Sequence, residues 1–244
     1  MINCKNCYTP LKPNENFCPN CGQPVTVKRI DSHYISHEIF HLLHFEKGLF
    51  YTLKQLTTKP GHSIREFIKV DRTKHMKPIA FLILTSLLFT LMAHLFHVDQ
   101  IYNEKEKLMF NESSVADIQH WVQTHYGYAN IIMGGFIALF VKLLFRKYQY
   151  NFFEISVLLC FVMGQGMFLL TIQTLFVGVL NEGVYKAILS IVSLAYPTWA
   201  IGQFFDGKKV MSYVKAFLAY LLGYSLFYIA VILVGLTMDL ILKS

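Results

Sequence analysis

Residues 78–95 read PIAFLILTSLLFTLMAHL, eighteen positions without an aspartate, glutamate, lysine or arginine. A helix of that length rises about 27 Å, close to the hydrocarbon thickness of a bilayer, and is apolar on every face. One such run could be the central helix of a soluble bundle. Four more follow it, at 126–145, 155–180, 184–204 and 213–236, and one soluble core cannot absorb five. Composition agrees, since 54% of the residues are hydrophobic and only 15% are charged. The expected fold is an all-α polytopic membrane protein of about five transmembrane helices, spanning residues 78–244, with a small cysteine-bearing head.

The charges are segregated. Residues 1–78 hold 12 lysines and arginines against 6 acidic residues, and the rest of the chain carries charge mainly in short loops. The first residues, MINCKNCYTPLK, lack the apolar stretch of a secretory leader, so the first span is expected to be a retained helix. Lys69, Arg72, Lys74 and Lys77 precede the first span, Lys142, Arg146 and Lys147 close the second, and Lys208, Lys209 and Lys215 lie between the fourth and fifth. Loop 99–125 is acidic, with Asp99, Glu104, Glu106, Glu112 and Asp117 against Lys105 and Lys107. The positive-inside bias then places the amino terminus in the cytoplasm and the carboxyl terminus outside. Within that loop, Ser113 or Ser114 is expected to cap a short helix bearing Val115, Ile118 and Trp121.

Residues 1–27 contain two CxxC pairs, Cys4/Cys7 and Cys18/Cys21, ten residues apart. Two such knuckles set four thiolates around a tetrahedral Zn²⁺, and Asn6, Pro19, Asn20 and Gly22 suit the turns. So short a segment cannot build a core, so structural zinc would supply its folding energy. Two disulfides are disfavoured in a reducing cytoplasm, and no βαβ pattern suggests a thioredoxin-like CxxC. A four-sulfur site of this kind is closed and offers a surface rather than chemistry.

Residues 28–77 read as cytoplasmic amphipathic and basic helices. Ile35, Ile39, Leu42 and Leu43 recur at helical spacing, Gly48 breaks the pattern, and Leu49, Leu53 and Leu56 resume it. His33, His37, His41 and His44 fall along one stripe, either as edge residues of an interfacial helix or as a metal- or pH-sensitive set. Residues 33–56 are expected to lie along the cytoplasmic leaflet. Pro60-Gly61 makes a break, and Ser63-Ile-Arg-Glu66 is expected to be a capping box opening a second helix. Seven basic residues between Lys54 and Lys77 suit an anionic leaflet, whereas nucleic acid is not an expected partner, because the positive-inside bias already accounts for the charge.

Within the spans the polar residues are mild. Gln165 sits in Gly164-Gln-Gly166, Gln173 follows two turns later, Pro197 is set to kink the fourth span, and Glu154 stands at the entry to the third. Gly134-Gly135 and the GQG cluster are expected to let helices approach closely. Buried charges of the kind an ion pump uses, or a nucleophile beside a base, are not evident in the spans.

The chain resembles a family of uncharacterised bacterial integral membrane proteins, domain of unknown function 3667. The resemblance rests on the cysteine ribbon with Phe17-Cys18 and Cys21-Gly22-Gln23, then Thr52, Leu56, Pro60-Gly61 and Ile64-Arg65-Glu66-Phe67, then Arg72 and Pro78, and Glu154 opening the third span. The family pattern would place histidine where Ile155 and Phe161 stand and glycine where Val70 stands, which weakens any inherited metal or proton site around Glu154. The family implies the fold, residence in a bacterial inner membrane, and no activity. From the residues, two functions compete. One is a non-enzymatic membrane scaffold or sensor that docks a cytoplasmic protein through the ribbon. The alternative is a permease or channel for a neutral or lipid-like solute, with a path by Gln165, Gln173 and Pro197.

Overall fold

A computed structural model describes residues 2–12, 15–26, 29–35, 48–98 and 113–242. The head begins with an antiparallel pair, β1 (Ile2–Asn3) and β2 (Pro10–Leu11). The longer helices among the described residues are α1 (Leu49–Thr58), α2 (Pro60–Lys69), α3 (Pro78–Leu95), α4 (Ser114–Thr124), α5 (Tyr126–Leu144), α6 (Phe152–Thr174), α7 (Glu182–Asp206) and α8 (Val210–Leu242). Five of them, α3 and α5 to α8, are long and apolar enough to cross a membrane. The protein is a mostly helical multi-span membrane protein with a zinc-ribbon head.

Helix ends follow local chemistry. The third span starts at Phe152, three residues before the expected boundary, because Asn151 and Glu154 form a reciprocal capping box. The capping box expected at Ser63 and Glu66 does not form. α2 instead starts at Pro60, whose fixed φ and missing N–H suit the first helical position, and Ser63 lies buried inside the helix. α4 begins at Ser114 as expected, but its cap is not a serine side chain: Asp239 of α8 accepts from the Ser114 N–H at 2.9 Å and from its hydroxyl at 2.7 Å. A carboxylate at a helix N-terminus is favoured by the exposed N–H groups and the helix dipole.

α3 lies parallel to α6, with Phe81 and Leu82 seated on Gly164. Each expected glycine pair contributes one contact rather than two. A Cβ on Gly164 would meet the Phe81 ring at 2.7 Å and one on Gly134 would meet the Met163 sulfur at 3.4 Å, whereas Gly135 and Gly166 face open space. Residues one or two apart point in different directions around a helix, so a small-residue pair need not share a contact face.

The hairpin α1–α2 is packed against α6 and α7. The amide of Gln165, thirteen residues and so roughly 20 Å along α6, donates to the Thr57 hydroxyl at 2.9 Å. Tyr196 of α7 donates to the Leu56 carbonyl at 3.1 Å. On α2, Gly61 donates its N–H to the Gln203 side chain at 2.8 Å, and Arg65 donates to the carbonyls of Gln203 at 2.6 Å and Phe204 at 2.5 Å. Those carbonyls belong to the last turn of α7, where no helical N–H reaches them and a cation is favoured. Ile64, Phe67 and Ile68 complete the hairpin's contribution to the main core.

Candidate metal centre

The two CxxC turns fold as matching knuckles. The Cys4 N–H bonds to the Thr9 carbonyl and the Tyr8 N–H to that of Cys4; the Cys18 N–H bonds to the Gln23 carbonyl and the Gly22 N–H to that of Cys18. The residue after each second cysteine, Tyr8 at φ 61° and Gly22 at φ 70°, is left-handed. Glycine takes that conformation freely, while tyrosine is strained there by about 1 kcal/mol.

The four sulfurs lie within 4.8 Å of one another, with Cys4 to Cys21 at 3.7 Å and Cys7 to Cys18 at 3.5 Å. Four thiolates about 2.3 Å from a tetrahedral ion would stand roughly 3.8 Å apart. Backbone N–H groups of Cys7 and Asn6 bond to the Cys4 sulfur and lower its pKa. The Thr9 hydroxyl and N–H bring Cys7 down to about 6. Bonds from the N–H groups of Cys21 and Asn20 lower Cys18 too, but burial and the neighbouring thiols push it up to about 11. Donors aimed at sulfur stabilise thiolates, the form a metal requires, so these residues fit a four-coordinate ion. All four cysteines are free thiols, and with Leu11 and Val25 they make up the small core of the head.

The head is joined to the bundle at two places. The amide of Gln23 donates to Asp71 Oδ1 at 2.9 Å and to the Thr73 hydroxyl at 3.1 Å, and Lys74 donates to the Asn6 side chain at 3.0 Å. Burial raises the pKa of Asp71, but two bonds from Thr73 and the charge of Lys74 outweigh it and hold the carboxyl below its usual range. The second joint lies just after the ribbon. Arg29 forks onto Glu154, Nε to Oε1 at 2.9 Å and Nη2 to Oε2 at 2.6 Å, and also reaches the Gln149 carbonyl at 2.9 Å. Asn151 donates to the Ile30 carbonyl at 2.9 Å, and Ile30 is wholly buried. Two parallel N–H···O bonds give the arginine–carboxylate pair both strength and a fixed direction.

His75 lies between these joints. It is buried against Tyr51, Phe67 and Phe161, with Nε2 at 3.5 Å from the Ser63 hydroxyl and Nδ1 without a partner among the described residues. Burial lowers its pKa, against the pull of Glu66 and Asp71.

The structure does not bring the polar residues singled out in the spans to one place. Glu154 is buried at the start of α6 and held by Arg29. Gln165 faces Thr57, and Gln173 donates to the Tyr185 carbonyl at 2.9 Å. Pro197 lines a cavity of about 500 Å³ in which neither glutamine takes part. His33 is exposed in a short helical turn at 32–35, and His37, His41 and His44 lie outside the described residues. Sequence reasoning missed Arg29 and His75, and named Gln23 and Arg65 only as residues of the family pattern, without a structural role. Several of the basic residues between Lys54 and Lys77 have partners inside the protein, among them Arg65 on α7, Lys69 over the Tyr150 ring, Arg72 over the Tyr34 ring, and Lys74 beside Asp71 and Glu66.

Residues 3–25 match the model of a zinc-ribbon domain. Residues 46–90 match that of a family described as Protein of unknown function (DUF3667). The second match covers the α1–α2 hairpin, the joint to the ribbon and most of α3. Neither the curated proteins nor the solved structures compared with the chain give a match.

Proposed function

We propose that the protein is a non-enzymatic membrane scaffold or sensor whose ribbon, closed by a structural Zn²⁺ on Cys4, Cys7, Cys18 and Cys21, docks a cytoplasmic protein. The observation that carries this reading is how the ribbon is mounted. Gln23, Asn6 and Arg29 tie it to the helices, while Tyr8 and Phe17 stay 77% and 64% exposed on the two knuckles. Exposed aromatics on a rigid, metal-closed element suit protein recognition. The orientation that goes with it is amino terminus in the cytoplasm and carboxyl terminus outside, in a bacterial inner membrane. Supporting it, Lys142, Arg146, Lys147, Lys208 and Lys209 all fall at the ribbon end of the bundle.

The purified protein should carry about one zinc per chain, lost in Cys18→Ser. A partner crosslinked in cells should then be lost in a Tyr8→Ser, Phe17→Ser double variant that keeps its zinc and a folded bundle. A metal-free protein with intact thiols, or a partner indifferent to the double variant, overturns the reading. A second reading, a permease or channel for a neutral or lipid-like solute, draws support from the cavity at Pro197, although Gln165 and Gln173 lie outside that cavity.

A further inference from the structure

The cavity beside Pro197 lies between α3, α5, α6, α7 and α8, and Val122 and Gln123 of α4 close one end of it. Its volume of about 500 Å³ falls within the range of small-molecule sites. The described residues lining it include no Asp, Glu, Lys, Arg or His. Leucine, valine and methionine supply about half of the wall, and the polar lining comes from serine and tyrosine hydroxyls and the amides of Gln123 and Asn130.

Two features give this cavity both a donor and an acceptor. Pro197 has no N–H to offer the Ser193 carbonyl one turn earlier, so that acceptor lacks its helical partner, and both residues line the cavity. Tyr220 lines it from α8; its side chain is only 9% exposed, and no described residue exchanges a hydrogen bond with its hydroxyl. A hydroxyl on a buried side chain and a carbonyl freed by proline both call for a partner. A charged or zwitterionic head would find no counter-charge here and would be costly to desolvate.

We propose that this cavity binds a neutral lipid alcohol, with the hydrocarbon chain along the apolar wall and the head hydroxyl donating to the Ser193 carbonyl while accepting from Tyr220. Binding there is independent of what the ribbon docks and does not require that the solute be transported.

The test uses full-length protein in detergent and hexadecanol bearing a mid-chain diazirine, with the labelled peptides read by mass spectrometry. Label should concentrate on residues 189–197 and 220–228 and be displaced by excess plain hexadecanol. Tyr220→Phe should weaken the half-saturating concentration about fivefold, the worth of one neutral hydrogen bond. Gly166→Leu places a side chain into open space at the cavity wall, so it should abolish labelling while the protein still melts as wild type. On wild-type protein, the matching diazirine hexadecane and the matching diazirine palmitate should label these peptides at least fivefold less. Equal labelling by the hydrocarbon or the carboxylate probe overturns the proposal, as does label spread over the outer helix faces and not displaced by hexadecanol. These two outcomes are read without any variant and leave the ribbon's docking role untouched.

Discussion

Gly61→Ala sets two known effects against each other at the joint between α2 and α7. In a helix, alanine is favoured over glycine by up to about 1 kcal/mol, so propensity alone predicts stabilisation. A Cβ at Gly61, however, would lie 2.3 Å from the Gln203 carbonyl carbon, 2.4 Å from the Phe204 nitrogen and 2.6 Å from the Gln203 oxygen. Those are backbone atoms of a neighbouring helix and cannot rotate away. Restoring a normal separation of about 3.5 Å moves the two helices apart by roughly 1 Å. That shift strains the Gly61 N–H bond to Gln203 and the two Arg65 bonds to the end of α7. A neutral bond is worth about 1 kcal/mol, one from a charged donor about 2, and overpacking typically costs about 1–3. The clash wins, with an expected net loss of about 2–3 kcal/mol, or roughly 5–10 °C in Tm. Gly135→Ala is the control, because its Cβ meets nothing within 4 Å and it should melt at or slightly above wild type. Thermal unfolding of the two variants in one detergent decides the matter. If Gly61→Ala melts with Gly135→Ala, the close hairpin seat on α7 is wrong.

Arg29 and Glu154 should be the mechanical link between head and bundle. Arg29 is 62% exposed at its side chain, which discounts the pair for screening, so Glu154→Gln should cost about 1–2 kcal/mol and increase protease cleavage between the ribbon and α1. Unchanged cleavage would show that the link carries no load. For His75, the folded protein disfavours the protonated form. The unfolded chain therefore binds more protons, so this contribution to stability is full above the unfolded pKa of about 6.5 and declines as pH falls toward the lower folded value. Unfolding midpoints between pH 7.5 and 5.5 should show a slope that flattens in His75→Phe; the same slope in the variant would refute the assignment. Tyr8→Gly should relieve the left-handed strain and raise the stability of the metal-loaded ribbon by about 1 kcal/mol, measured as resistance to a chelator. Reporter fusions at Asp117, Asp206 and the carboxyl end should read outside, inside and outside, and an outside signal at Asp206 reverses the scheme.

What this chain is could be read from one dimension. Five spans announce themselves because a bilayer requires about twenty apolar residues in sequence, and four cysteines at knuckle spacing announce a metal because a tetrahedron of thiolates is made by two local turns. Both signals are local, and the sequence alone determined both elements. What the tertiary structure decided is how the parts meet. Pro60-Gly61-x-x-Ile64-Arg65-Glu66 reads as an interfacial helix start. Its glycine is there for the α7 backbone and its arginine for the last α7 carbonyls, 138 residues further along the chain. Arg29 reads as one more basic residue near a membrane, until Glu154 is found across 125 residues of chain. Gln165 reads as a lining residue of a path, yet it closes on Thr57 of the hairpin, and the cavity forms one residue on, at Gly166. Sequence periodicity tells which residues leave water, but not which partner each one meets. That choice rests on hydrogen bonds and close backbone approaches between segments far apart in the chain, and these exist only once the helices have packed.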